Sequence, residues 1–393
     1  MPGLNRLRQT FAKVFGYGEC GEELRVFFAP GRVNLIGEHT DFTGGYVLPA
    51  ALTYGTWAVV HPRKDRRFRL ASTSFAGQVE IDADEVVYRQ ADGWANYPKG
   101  VFSEFIRLGS RLKGYDILYD GNIPKGAGLS SSASIEMVTA TALNQVEALD
   151  YSLIDLTQLA QRAENQFVGM NCGIMDQFAS GMGKAGNAVL LKCDTLEYRY
   201  VPLAWGDYRL VITNSNKQRS LTESKYNQRR QECEEGFNIL RKHLPGIVSL
   251  GNVSLAQWQE VQNYVRAPEV YKRLDHVIHE NERTLASTSA LEAGNIQDFG
   301  QYMIQSHESL RDLFEVTGPE LDALFEEARQ VGGCLGTRMT GAGFGGCTVS
   351  LVHTEAVTDF ETQVTLGYRS KTGLIPTFYH CDSGDGAREL IGR

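Results

Sequence analysis

The chain of 393 residues has no basic block, no CxxC pair, no internal repeat and no apolar run near the ~20 residues that a bilayer span needs. Each absence closes a class of function. Lys and Arg number 39 against 47 Asp and Glu, a formal net charge of −8, so nothing is set up to neutralise a phosphate backbone and no nucleic-acid partner is expected. No membrane partner is expected either. The seven cysteines, Cys20, Cys172, Cys193, Cys233, Cys334, Cys347 and Cys381, are odd in number and lack ligand spacing. They suit buried thiols in a reducing compartment and a cytoplasmic location. Arg6, Arg8 and Lys13 stand near the start with no acid among them, but Leu4, Leu7, Phe11, Val14 and Phe15 make a helical stripe suited to a core, and no leader-type apolar region follows. What remains is an acidic globular protein, long enough for two domains, that acts on a small molecule.

Glycine, with 41 copies, is plentiful, and it gathers where polar residues do. Pro124-Lys125-Gly126-Ala127-Gly128-Leu129-Ser130-Ser131-Ser132-Ala133-Ser134 is a glycine turn running into a helix, since Ile135, Val138, Ala142, Val146 and Leu149 recur at three- and four-residue spacing. Small residues let backbone N–H groups approach a ligand, and the helix that follows aims its positive end there, which is a phosphate cradle in physical terms. A plain turn with serine caps fits the same residues. The GxxxxGK[ST] pattern of a P-loop is absent, and Lys125 precedes the glycines.

Three other stretches carry chemistry. Gly31-Arg32-Val33-Asn34-Leu35-Ile36-Gly37-Glu38-His39-Thr40-Asp41-Phe42 sets donors and acceptors close together after a strand, as a hydroxyl-rich sugar requires. A Zn site at Glu38, His39 and Asp41 is weakly supported, because adjacent residues rarely face one ion. In Ala163-Glu164-Asn165-Gln166-Phe167-Val168-Gly169-Met170-Asn171-Cys172-Gly173-Ile174-Met175-Asp176-Gln177-Phe178, Glu164 lies toward a packed helix face, where a carboxylate needs a cation or a proton. Asp176 is bracketed by apolar residues. Met339 to Cys347 contains a literal GxGxxG, but Cys347-Thr348-Val349-Ser350-Leu351-Val352 alternates like a strand, so the dinucleotide reading fails. Such a loop instead lets backbone pass near a ligand or near the first glycine turn. Tyr226 opens the stripe Arg230, Cys233, Phe237 and Leu240 and places a hydroxyl at a buried helix start. His276 and His279, among Asp275, Glu280 and Glu282, read as a solvated face.

The order of elements predicts an α+β protein. Strands are expected at 24–29, ending at Pro30-Gly31, and at 46–52, 56–61, 68–71, 79–81 and 115–119. Helices are expected at 97–112, from the glycine turn to Leu149, and from Ser152, where Asp155 completes a capping box. A strand at 208–213 opens the second half. Helices at 223–243, 268–290, 296–314 and 320–331 follow, then strands at 335–340, 347–352 and 377–380 with a helix between the last two. The expected boundary near residue 205 gives domains 1–205 and 206–393.

Together, and in this order, these motifs resemble the GHMP small-molecule kinases, and GRVNLIGEHTD is similar to the signature of the galactokinases within them. The resemblance covers almost the whole chain. It implies an N-terminal domain of the ribosomal-S5 type, a C-terminal α+β domain and a site in the cleft between them. It implies transfer of the ATP γ-phosphoryl group to the anomeric hydroxyl of α-D-galactose, giving galactose 1-phosphate and ADP. Gly126, Ala127, Gly128, Leu129, Ser130, Ser131 and Ser132 are then the ATP phosphate loop, Ser132 and Glu164 the Mg²⁺ ligands, and Asp176 the base with Arg32 beside it. Glu38, His39, Thr40, Asp41, Gly173 and Tyr226 are the sugar contacts, and Trp94 is a candidate to stack on adenine. Phe42, Thr43 and Ala342 depart from the family's usual Tyr, Asn and Gly. Rival readings are a GHMP kinase for arabinose, galacturonate or N-acetylgalactosamine, and a non-catalytic galactose sensor; the intact serine run and Asp176 favour the enzyme. A monomer or weak homo-oligomer is expected.

Overall fold

The apolar stripe at the start of the chain forms α1 (Pro2–Phe15), and its Leu7, Phe11 and Phe15 bury against Val26, Val59 and Leu118. The structure, a computed structural model, describes residues 2–17, 24–124, 126–217 and 222–391; Cys20 and Lys125 lie outside these. Strand β1 (Arg25–Asn34) does not stop at Pro30-Gly31 as expected. Pro30 has no N–H for the ladder, and a Cβ on Gly31 would stand 2.4 Å from the carbonyl of Leu129. The register therefore shifts between Pro30 and Arg32 and the strand resumes to Asn34, with the Arg32 N–H on Leu129 O at 3.2 Å. Arg32 thus sits on a strand against the glycine turn, not on a free loop.

After β2 (Tyr46–Val47), the two runs expected at 46–52 and 56–61 merge into one long strand, β3 (Pro49–Pro62). The hairpin β4 (Arg67–Ser72) and β5 (Gln78–Asp82) follows, then α2 (Asn96–Arg107), which stops short of Leu112. Strand β6 (Tyr115–Gly121) delivers the glycine turn to α3 (Ser131–Val146). Helix α4 (Leu153–Arg162) starts at the anticipated capping box, with Ser152 Oγ accepting from the Asp155 N–H. It runs into a wider turn, Ala163–Val168, that carries Glu164, before the short α5 (Met175–Met182). Strands β7 (Asn187–Lys192) and β8 (Tyr198–Pro202) lie where no strand was expected. The second half runs β9 (Tyr208–Asn214), α6 (Thr222–Leu240), α7 (Leu255–Val261), α8 (Pro268–Glu292), α9 (Ile296–Ser309), α10 (Pro319–Ala328), β10 (Cys334–Thr340), β11 (Cys347–His353), α11 (Val357–Thr372), β12 (Thr377–His380) and β13 (Arg388–Glu389). The run after the literal GxGxxG is a strand, β11, as its alternation indicated.

Among the described residues the strands form sheets in the orders β13-β1-β3-β6-β4-β5, β10-β11-β9-β12 and β2-β7-β8, the mixed α+β architecture the pattern called for. Helix α3 seals the first sheet, its Met137, Val138 and Leu143 packing with Phe27, Ala58 and Ile117. A second core joins the two halves: Val33, Leu48 and Leu129 meet Ile212, Phe299 and Val349. Residue 205 falls between β8 and β9, yet β13 returns to the first sheet and pairs Arg388 with Phe28 and Glu389 with Phe27.

Candidate active site

The glycine turn alternates in hand. Gly126, Gly128 and Ser130 have φ of 71°, 74° and 61°, while Ala127 and Leu129 between them are buried in the core. Such alternation turns successive N–H groups to one side, forming a concavity that suits an anion. Gly126, Gly128, Leu129, Ser130, Ser131 and Ser132 line a cavity of about 430 Å³. Ala127 only plugs the core beneath it. The serines do not cap as expected: Ser130 holds the N-cap position of α3 without a side-chain cap bond, and its hydroxyl donates instead to Asp176 Oδ2 at 2.5 Å.

Asp176, in the first turn of α5, faces the turn from the opposite wall. Arg32 grips it with two bonds, Nε to Oδ1 at 2.8 Å and Nη2 to Oδ2 at 2.9 Å, and its Nη1 donates to Gly128 O at 2.8 Å. The guanidinium is buried, so little solvent screens the pair. One cation therefore spans the carboxylate and the glycine turn.

Glu164 lies buried beside them. Its carboxylate takes Gln177 Nε2 at 2.6 Å and is hydrogen-bonded by Ser132 and Cys172. Burial pushes its pKa up, and the negative charge of Asp176 adds to that. No protein cation offsets it among these partners. The sequence reading missed Glu136, a fully buried carboxyl on α3 that shares the same Gln177 amide at 3.1 Å.

The 37–46 loop forms the far wall. Glu38 binds Arg338 Nη2 through Oε2 at 2.6 Å and the Gly341 N–H through Oε1 at 2.9 Å, so it ties the loop to the third glycine motif. His39 is buried with φ 62°, its Nε2 has no hydrogen-bond partner among the described residues, and burial lowers its pKa to about 3, leaving a neutral ring. Asp41 is pushed up to about 6 by burial and by the charge of Asp176. A Cβ on Gly173 would run into the Asp41 carboxylate, so any other residue there displaces that side chain. Tyr226 packs edge-on to Phe42 at 5.6 Å and lines the same cavity as Glu38, His39, Asp41 and Asp176. Gly173 lines an adjoining cavity that shares Asp41 and Cys172 with the first. Thr40 lines neither: its hydroxyl lies 2.7 Å from Tyr46 O and 2.9 Å from Gly37 O, and it fastens the loop from within. Among the described residues no cluster of three or more His, Cys, Asp and Glu stands ready for an ion, and Glu38, His39 and Asp41 do not make one. Gly341 passes the first turn closely, since a Cβ there would be 3.3 Å from Gly128 O. Trp94 lies outside both linings, stacked on Phe75 at 6.1 Å.

Helix α8 braces the loop from behind, which the solvated reading of its histidines did not anticipate. His276 is fully buried; its Nε2 faces the carbonyl of Glu38 at 3.1 Å and its Nδ1 the hydroxyl of Ser309 at 2.8 Å. A carbonyl only accepts, so the proton is on Nε2 and the ring is neutral, in line with a pKa that burial lowers to about 4. Glu280 accepts the N–H groups of Gly37 and Glu38, and Asn281 that of Tyr46. The usable signal was the four-residue spacing His276, Glu280, Thr284 on one helix face. Of the two histidines, His279, half-exposed on Asp275, fits the solvated reading, as does the exposed Glu282.

Three family descriptions match the chain: GHMP kinases N terminal domain over residues 96–184, Galactokinase galactose-binding signature over 9–62, and GHMP kinases C terminal over 287–368. A galactokinase of Halalkalibacterium halodurans is 50% identical over 386 residues, 98% of either chain. One from Bacillus subtilis is 48% identical over 389 residues, 98% of this chain and 99% of that one. The structure of Lactococcus lactis galactokinase complexed with galactose superposes with a TM-score of 0.95 at 42% identity, covering 98% of this chain and all 100% of that one. Methanococcus jannaschii mevalonate kinase, at 18% identity and TM-score 0.67 over 93% and 99% of the two chains, shares the fold alone.

Proposed function

Because the chain belongs to the galactokinase family of the GHMP kinases, ATP-dependent sugar kinases, we propose that it transfers the γ-phosphoryl group of ATP to the anomeric hydroxyl of α-D-galactose. The observation that carries the reading is the junction at Asp176. One carboxylate, gripped by a buried arginine, lies in a single cavity between an amide-lined turn and a loop of fixed donors and acceptors.

Asp176 accepts the proton of the anomeric hydroxyl while that oxygen's electron pair forms the bond to the γ-phosphorus. The bond from phosphorus to the β–γ bridging oxygen breaks, and its electrons leave on ADP. Arg32 orients the Asp176 carboxylate and, held at Gly128, lies where charge on the transferring group needs a cation. The turn from Gly126 to Ser132 supplies N–H groups to the phosphates. Glu38, His39, Asp41 and Tyr226 form the sugar wall, with Gly173 set against Asp41 from the adjoining cavity; His39 Nε2, without a hydrogen-bond partner among the described residues, and the remaining acceptor positions of Glu38 suit hydroxyl groups. Thr40 acts by holding the loop's shape. Phosphoryl transfer asks for little beyond such positioning and charge neutralisation.

Ser132 and Glu164 fit Mg²⁺: both are hard oxygen donors in contact, and Glu164 is a buried carboxylate with no cation among its described partners. When bound, Mg²⁺ supplies positive charge to the transferring phosphates. ADP release by purified protein over a panel of aldoses, N-acetylgalactosamine included, tests the whole reading. Galactose is expected to be turned over well above the rest; turnover no better than that of glucose or arabinose removes the substrate assignment.

A further inference from the structure

Ser130 is the outlier of the glycine turn. Its neighbours at alternate positions with positive φ are glycines, and it holds φ 61° with a side chain, a conformation a serine keeps only when its surroundings impose it. It stands where a serine would cap α3, yet makes no cap bond. The side chain is buried and donates to Asp176 Oδ2 at 2.5 Å, the short distance of a hydroxyl on a charged acceptor. We infer that Ser130 is a positioning residue for the catalytic base, not a phosphate contact, and that the turn divides its labour: its backbone serves the nucleotide and this one hydroxyl serves Asp176.

The count of donors states what the hydroxyl does. A carboxylate offers about four acceptor positions. Arg32 Nε and Nη2 and Ser130 Oγ fill three, which leaves Asp176 one place for the anomeric hydroxyl. Without Ser130 two places are open, and the carboxylate is free to turn about its Arg32 contact. The charged or titratable groups around Asp176 are Arg32 on β1, Asp41 on the sugar loop, Glu136 on α3, Glu164 and Cys172 on the segment after α4, and Tyr226 on α6.

The inference rests on Asp176 being the base, and the test separates the two. Full-length Asp176→Asn, Ser130→Gly and Ser130→Ala are assayed with ATP and galactose. Gly relaxes the positive φ, so that variant folds whatever the serine does; Ala keeps the Cβ. Both serine variants are expected to lose roughly ten- to a hundredfold in kcat, the effect of one charge-assisted hydrogen bond. KM for galactose and for ATP should stay within about threefold, as for loss of an interaction made at the transition state. A raised KM for ATP with kcat retained makes Ser130 a phosphate contact and overturns the inference, as does unchanged kcat in Ser130→Gly. Full turnover by Asp176→Asn overturns the base reading itself.

Discussion

The two walls that meet at Asp176 are held in opposite ways. The 37–46 loop is fixed by buried charge and directed hydrogen bonds: Glu38 on Arg338, Glu280 under two N–H groups, and His276 under a carbonyl. The 126–130 turn is fixed by apolar plugs, Ala127 and Leu129, and by three left-handed residues. One wall spends its polar groups on its own shape; among the described residues of the other, the Ala127 N–H is bonded to Pro124 O at 3.4 Å while those of Gly128, Leu129 and Ser130 take no backbone acceptor. Sugar discrimination works by leaving wrong hydroxyls unpaired, which needs donors and acceptors that cannot move. Phosphate binding needs only amides that point one way.

Substitutions can break this contrast from either side. The largest effect is expected from Arg338→Met, which leaves the Glu38 carboxylate buried without its cation; a loss of about 3–5 kcal/mol is expected in denaturant unfolding. An equal loss from Ala127→Gly would mean that both walls depend on packing alike. Gly173→Ala drives a methyl into Asp41 and should raise KM for galactose about ten- to a hundredfold with KM for ATP unchanged. Equal shifts in both constants would dissolve the division between the walls. Ser132→Ala should raise the Mg²⁺ concentration for half-maximal rate at least about tenfold, as for loss of a partner around a bound ion; an unchanged titration takes Ser132 out of the ion's shell.

The smallest effect is one of pH. His39 and His276 have folded pKa values of about 3 and about 4, below the ordinary 6.5, so the unfolded chain binds more protons in that window. Their contribution is intact above pH 6.5 and is lost as pH falls toward 4. Asp41, raised to about 6, takes up its proton more readily when folded and offsets part of that loss. Unfolding midpoints at pH 7, 5.5 and 4.5 should therefore decline; a flat series shows that the buried histidines do not report on the loop.

The sequence revealed types better than directions. The capping box at Ser152, the long helix from Pro268 and the strand after the GxGxxG follow from local spacing, and each stands in the structure. Strand β7 was illegible because Ala188 to Leu191 is a short unbroken apolar run with no alternation to mark it. Ser130 was legible as a polar turn residue, but its partner is 46 positions away, and no local rule points the hydroxyl there. His276 and Glu280 looked solvated because charged neighbours surround them in sequence; in space their partners are backbone groups of a loop some 240 residues earlier. Gly173 was named from the resemblance, and only the distance to Asp41 gives the reason for glycine.

The pairing of Arg388 and Glu389 with Phe28 and Phe27 bears on how the protein is made. Glu389 also holds Arg25 through two bonds, each 2.7 Å, on the strand that ends in Arg32 and Asn34. A ribosome emits that strand first and its outer neighbour more than 350 residues later. Folding during synthesis therefore leaves the edge of the first sheet open until residues 388 and 389 emerge, an interval in which an unpaired strand is exposed to wrong partners.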